Sequence, residues 1–344
     1  MSTSTANLSL LTRLKSLVLS LPHKEASFSR RGFPGMTSPS RHHLETIIHA
    51  FIDGYNLAVV EPDTKELARR LNSSIAPEYV GFAYEGTGLY FAVMDLLIPG
   101  SSRLEAFTHS AGEPYDYIAM VGAGFAISRI PLALRRLESY QKRLDELTAF
   151  CLADGYGFHE GYFEWKSFVD GRKPAPASLN PQNRQLFDSG VARAMWWVYG
   201  ADPVGIANAI SRFDEERRHE MWAGIGVAMS YASAGPGNPD PTSKLVELSG
   251  PYRYDLLSGI PFSAHMRWKG KNPAPWTERA CSELLNMSVA ETSDLVLGGL
   301  QAFLDSWQGP KEDKWTEGYL AVRENIKQRL IEKLAVRSRS SAAS

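Results

Sequence analysis

YEGTGLYFAVMDLLI, residues 84–98, is apolar on every side except at Glu85 and Asp95. A helix that is hydrophobic all round belongs inside a protein, and a striped one belongs at its surface. The shape recurs along the chain. A glycine, often with an acidic or polar residue just before it, leads into small and aromatic residues at Gly54, Gly86, Gly122, Gly161, Gly190, Gly224 and Gly259. The gaps are 32, 36, 39, 29, 34 and 35 residues. One helical hairpin, two helices of about 12 residues with their connections, has about that length. Between the apolar segments lie charged, striped ones: DTKELARR at 63–70, LRRLESYQKRLDELTAFCLA at 134–153 and PVGIANAISRFDEERRHE at 203–220. Alternation with period 2 is absent over any long run, so a sheet is not expected. Inner helices alternating with outer ones predict an all-α, single-domain α/α-toroid (barrel) of about six to seven helical hairpins. Small residues at the inner-helix starts would let those helices approach closely.

The ends read differently. Leu10, Leu11, Leu14, Leu17, Val18 and Leu21 follow helical spacing, with Arg13 and Lys15 flanking the stripe. Residues 1–27 are therefore expected to form an amphipathic leader that docks on the body. Peripheral contact with a membrane surface through that helix is the other expectation. No apolar run reaches the roughly 18 residues of a membrane span, so the chain is expected to be cytoplasmic, membrane association being limited to that helix. The barrel is expected over 28–335. The small, polar run 336–344 is expected to be disordered.

Composition narrows the function. The 344 residues are 44% hydrophobic and 22% charged, with a net charge of −1. A nucleic-acid binder needs a basic face, and this balance supplies none. Two distant cysteines, Cys151 and Cys281, exclude a disulfide framework and a cysteine-rich zinc site. His159-Glu160 and His219-Glu220 begin like HExxH but lack the second histidine. There is no Walker lysine, no GxSxG, no aspartate-rich DDxxD and no DxDD; Asp214-Glu215-Glu216-Arg217-Arg218 reads as a solvated helix face. No metal and no other cofactor is expected.

If every inner helix starts in phase, the acids just ahead of the glycines gather at one mouth: Asp53, Glu85, Glu160, Asp188, Glu220 and Asp255. Burial and crowding raise a carboxyl pKa, and a carboxylic acid kept protonated near pH 7 is a proton donor. Asp95, Arg129 and Arg193 are ionisable residues inside apolar helices, where such groups are either paired or functional. The aromatic residues of those helices, among them Phe91, Phe163, Trp196 and Trp222, would wall an axial cavity and stabilise passing positive charge. The candidate catalytic acids are Asp95, Glu85 and Glu160. The candidate binding residues are His159, Asp188, Arg193, Arg129, Trp196, Trp222, Phe163 and Phe91.

Several segments together resemble a known family. They are Arg31-Gly32-Phe33, Gly81-Phe82-Ala83-Tyr84-Glu85-Gly86, Asp154-Gly155-Tyr156-Gly157-Phe158-His159, Gly161-Tyr162-Phe163, Gly190-Val191-Ala192-Arg193-Ala194-Met195-Trp196 and Tyr254-Asp255-Leu256-Leu257-Ser258-Gly259. The set resembles the enediyne-biosynthesis-associated family of unknown function, found in bacterial natural-product gene clusters. In size and architecture the chain is also similar to the single-domain class II meroterpenoid cyclases (merosterolic acid synthase-like), which cyclise a prenyl chain on an aromatic acid by protonation. The second likeness implies a cyclase, formally an isomerase of secondary metabolism, acting on a polyprenyl substrate. One of the three acids would protonate an alkene or epoxide, and Arg193 or Arg129 would hold an anionic head group. The first likeness implies an alternative, an accessory or tailoring protein that binds a polyene polyketide. A third expectation is a non-enzymatic helical-repeat interaction scaffold.

Overall fold

The computed structural model describes residues 10–98, 100–130, 132–144, 147–310, 313–314 and 318–342. It is all-α; among the described residues there is no strand. After α1 (Leu10–Leu19) come seven helices that build the core: α2 (Arg41–Val60), α3 (Pro77–Leu97), α4 (Asp116–Arg129), α5 (Cys151–Phe163), α6 (Pro181–Val198), α7 (Glu215–Tyr231) and α8 (Arg253–Gly270). Two more, α9 (Val289–Ser306) and α10 (Tyr319–Ala342), follow. Local chemistry sets the starts. Pro77 and Pro181 occupy the first helical position, where a missing N–H costs nothing. Asn180 caps α6, and Ser288 with Glu291 forms a capping box on α9.

Each core helix packs on the next in chain order. The residues that meet keep a nearly constant separation in sequence: Tyr55 with Tyr90, Ser128 with Glu160, His219 with Asp255, Ser230 with Ser263. Consecutive core helices are therefore parallel, because antiparallel partners would show a constant sum instead. The recurrent glycines sit at the crossings. A Cβ on Gly54 would overlap the Ala83 carbonyl, one on Gly86 that of Phe51, and one on Gly122 that of Glu85. Gly190, Gly224 and Gly259 lie in the same way against Asp154, Ser189 and Ala223.

This corrects the sequence reading in three places. The glycines do not open the inner helices; six of the seven lie well inside them, where backbone must touch backbone, and Gly161 lies in the last turn of α5 against Val191 and Ala194. The helix starts do not share one end either. His43 Nε2 donates to the Ala232 carbonyl (2.7 Å), Arg267 Nη1 to that of Glu78 (2.9 Å), and the Tyr115 hydroxyl to that of Gly270 (2.9 Å). The beginnings of α2, α3 and α4 thus meet the ends of α7 and α8, and no single ring of acids forms. Finally, the outer layer is thin. Within 203–220 only Pro203–Ile210 lies outside, and Glu215–Glu220 is the first turn of α7.

At the N-terminus, α1 packs on α2, and the Leu21 backbone exchanges hydrogen bonds with the Asn56 side chain (2.8 and 2.9 Å). Residues 1–9 of the leader lie outside the described residues. The tail departs from expectation: α10 continues to Ala342, since extending an existing helix through Ala and Arg needs no new nucleus. Residues 343–344 lie outside the described residues.

The crossings make a prediction of opposite signs. Gly122→Ala forces a methyl into the Glu85 carbonyl and is expected to cost about 3 kcal/mol or more. Gly298→Ala, in α9, meets only the end of the flexible Arg329 side chain and is expected to be neutral or to stabilise by up to about 1 kcal/mol. Denaturant unfolding of the two variants checks both.

Candidate functional site

One cavity of about 490 Å³ is lined by all seven core helices, by the segment at Leu21–Glu25 and by the first turns of α10. It falls inside the range of about 300–1,000 Å³ usual for small-molecule pockets. With about 30 Å³ per water in the liquid, the space suits a ligand on the order of 15–25 non-hydrogen atoms. The wall is mostly aromatic and aliphatic. Phe125 stacks on Phe51 (5.3 Å between centroids) and on Phe158 (5.4 Å), and Trp197 meets the edge of Phe158. Phe82 and Tyr231 close the opposite side.

Two polar groups interrupt this wall. The deeper one comes from the glycine crossings. Glu85 lies mid-helix on α3, its backbone pressed against Gly122, and is 6% exposed. It lines the cavity and makes no hydrogen bond among the described residues. Burial pushes its pKa up to about 8; the nearby Arg193 charge pulls it down, and Asp154 pushes it up. Glu85 is therefore mostly protonated at neutral pH. Beside it, Arg193 Nε reaches Asp154 Oδ1 (3.3 Å) and Nη2 reaches Oδ2, so this cation is balanced. Arg193 also covers the Phe158 ring at 5.0 Å. Tyr319 and Arg323 from α10 complete this end of the cavity, with Arg323 paired to Glu220. Cys151 also faces this end, and burial pushes its thiol well above the ordinary value, which disfavours the thiolate.

The second group sits at the solvent's edge. Arg129, in the last turn of α4, donates from Nε to His159 Nε2 (2.7 Å). The other ring nitrogen of His159 then carries the proton and donates to Glu160 Oε1 (3.3 Å), which also accepts from Ser128. Burial lowers the His159 pKa and keeps the ring neutral. Burial alone would raise Glu160, but the bonds from His159 and Ser128 outweigh it and hold the carboxyl below its ordinary value. The Phe163 ring lies under the guanidinium groups of both Arg129 (4.5 Å) and Arg31 (4.4 Å). Arg31 is balanced by Glu25, whereas Arg129 has no carboxylate partner among the described residues. Gly122 and Arg129 are seven residues apart on one helix, so mouth cation and buried acid are separated by about 10 Å along the axis.

The structure thus brings Glu85, Arg193, Arg129, His159 and Phe163 to the cavity. Other sequence candidates fall elsewhere. Asp95 caps the short helix Arg103–Thr108, accepting from Arg103 N (2.8 Å) and Leu104 N (3.0 Å), and does not line the cavity. Glu160 does not line the cavity, and the bonds from His159 and Ser128 hold its carboxyl below the ordinary value. Asp188 is taken by Arg217. Phe91 packs on Phe107, Trp196 is fully buried with its N–H on the Ser233 carbonyl (2.9 Å), and Trp222 is core. Sequence reasoning missed Asp154, although Asp154-Gly155 repeats the acid-before-glycine shape. It also missed Tyr319 and Arg323, which lie beyond the repeat and carry no such signal. Among the described residues no three His, Cys, Asp or Glu side chains come together as a metal site.

The family model for the protein of unknown function (DUF1702) matches residues 10–330, and the chain belongs to that family. No curated protein matches, and no solved structure matches.

Glu85 also makes stability depend on pH. Its native pKa lies above the unfolded value, so the folded state binds the extra proton between about 4.5 and about 8. That contribution is complete below pH 4.5 and is lost as pH rises through about 8. Glu85→Gln removes the loss. The melting temperature of the variant relative to the native chain is expected to rise from pH 5 to pH 9, as followed by circular dichroism; a constant difference would contradict this.

Proposed function

We propose that the chain is a protonation-initiated cyclase of a polyprenyl or meroterpenoid substrate, with Glu85 as the proton donor. The observation that carries this reading is a buried carboxyl group that faces an aromatic-walled cavity and makes no hydrogen bond among the described residues, its pKa raised by burial to about 8. An acid of this kind is costly to maintain and is the form a general acid needs.

The residues divide the work as follows. Arg129 at the mouth takes an anionic head group, such as the carboxylate of a hydroxybenzoate, and so sets how deep the tail reaches. The tail lies along Phe51, Phe125 and Phe158. Glu85 transfers its proton to the terminal carbon of an alkene, or to an epoxide oxygen. As the Glu85 O–H bond breaks, either the alkene π pair forms the new C–H bond, or the epoxide oxygen takes the proton and its C–O bond opens; the electron-poor carbon left is attacked by the next double bond. The Glu85 carboxylate left behind is stabilised by the Arg193 charge. Cationic carbons pass between aromatic faces, each such contact contributing about 0.5–2 kcal/mol. The last cation loses a proton to water, and Glu85 regains its proton from solvent. The isomerase activity and its place in secondary metabolism belong to this proposal. The expected independence from metal belongs to it too.

A second reading, a binding or tailoring protein for a conjugated polyene, uses the same cavity and the same aromatic wall. What favours the cyclase is Glu85, a carboxyl whose pKa burial raises to about 8 in a wall otherwise suited to an apolar chain.

With farnesylated hydroxybenzoate, whose about 25 non-hydrogen atoms match the cavity, with and without a chelator, the native chain is expected to release a cyclic isomer. Glu85→Gln is expected to lower turnover by about 10²–10⁴-fold while substrate affinity, read from isothermal titration calorimetry, stays nearly unchanged. The native rate is expected to be level below about pH 8 and to fall above it, as the donor loses its proton. Arg129→Ala is expected to raise KM about tenfold with little change in kcat. Turnover undiminished in Glu85→Gln would remove Glu85 as the proton donor, and binding without any product from the native chain would remove the cyclase reading and favour the polyene-binding one.

A further inference from the structure

Five large apolar side chains stand exposed around the cavity mouth: Leu17 and Val18 on α1, Leu97 and Ile98 at the end of α3, and Leu132 just past α4. Three separate chain segments bring them to one end. The offset that sets Glu85 against Gly122 and Gly88 against Ala119 also sets the end of α3 beside the turn at Leu132. Residues 21–28 run antiparallel along α2, from Leu21 at Asn56 to Phe28 at Glu45, so α1 lies at the C-terminal end of α2. The cavity opens among them, past Pro22, Val93, Arg129 and Ile130.

Leu132 carries the strongest signal. It is 63% exposed and has a φ of 68°, a left-handed backbone that a leucine seldom adopts. Strain of this kind persists where the surrounding structure imposes it, and it marks sites of function. The turn itself carries charge of one sign, while the nearby carboxylates are engaged, Asp95 with the backbone of Arg103 and Leu104 and Glu105 facing Arg143. Residues 129–136 hold three arginines and no carboxylate. Arg135, Arg136 and the neighbouring Arg103 are exposed, and none has an ion-pair partner among the described residues. In a chain of net charge −1, this end is locally basic.

We propose that this face docks on an anionic lipid bilayer, with Leu17, Val18, Leu97, Ile98 and Leu132 entering the acyl boundary and the arginines meeting the headgroups. The cavity then opens toward the lipid, and the substrate reaches Glu85 without crossing water; this last step rests on the reading of the cavity as a polyprenyl site. Apolar insertion and basic attraction are each weak alone and together hold a protein at a membrane. The contact is peripheral: among the described residues no helix is long and apolar enough to cross a membrane. A second copy of the chain fits the face less well, because it would bring the same three arginines into one interface.

Flotation with vesicles of phosphatidylcholine alone, and of phosphatidylcholine mixed with phosphatidylglycerol, tests the proposal. The native chain is expected to bind the mixed vesicles at least about tenfold more tightly and to release them as salt rises. The double variants L97D/L132D and R135E/R136E, checked for native helicity, are each expected to lose about tenfold or more. Both should keep their turnover of detergent-solubilised substrate and lose it with vesicle-borne substrate. Glu85→Gln is expected to bind vesicles like the native chain, so failure of the cyclase reading leaves this result standing. Equal binding to both vesicle types, binding to neither, or binding undiminished in the two variants overturns the proposal. So does a dimer in light scattering that L97D/L132D dissolves.

Discussion

Contact of backbone with backbone at the glycine crossings is the constraint on which the molecule depends. Where Gly122 meets the Glu85 carbonyl or Gly86 meets that of Phe51, any side chain would hold the helices apart. Close approach brings many atoms into dispersion contact and fixes the register of each pair. Seven helices in chain order repeat the contact, and each crossing passes the constraint on. The beginnings of α2, α3 and α4 come to face the ends of α7 and α8, and the space between becomes the cavity. The glycines thus hold the wall together from outside the cavity.

The same constraint explains the acid. A residue next to a crossing glycine is fixed in position along its helix and cannot swing toward solvent. Glu85 precedes Gly86 and has its carbonyl against Gly122, so its side chain enters the cavity without a hydrogen bond among the described residues. Asp154 stands in the equivalent place on α5 but meets Arg193 and becomes half of an ion pair. Two carboxyl groups with the same local pattern therefore end differently: the next helix, α6, supplies Arg193 to pair with Asp154, and Glu85 has no such pair among the described residues. At the mouth, the chain Arg129–His159–Glu160–Ser128 holds its members by mutual hydrogen bonds and leaves the outer face of Arg129 for a ligand.

Much of this was legible in the sequence, for identifiable reasons. The helical class follows from all-round apolar segments such as 84–98, and the glycine period marks the packing unit. Glu85 stood out as an acid in an apolar helix, and Arg193, Arg129, His159 and Phe163 lay in the same segments. What failed was direction and destination. Period alone does not say whether a glycine starts a helix or sits at its middle, so the ring of acids was an artefact of phase. Asp95 has the same sequence signature as Glu85, but it is three helical turns further on, where the helix ends and the next short one needs a cap. Arg217 and Arg323, which neutralise Asp188 and Glu220, come from outside the apolar segments, and such pairings are settled only in three dimensions.

The central claim is that Glu85 carries a proton inside the cavity at neutral pH. Infrared difference spectroscopy of the native chain against Glu85→Gln reads that proton directly through the carboxylic C=O stretch. The account predicts a protonated carboxyl band at pH 7 that is absent from the variant and disappears with a midpoint near pH 8. A Glu85 already ionised at pH 6 would contradict it.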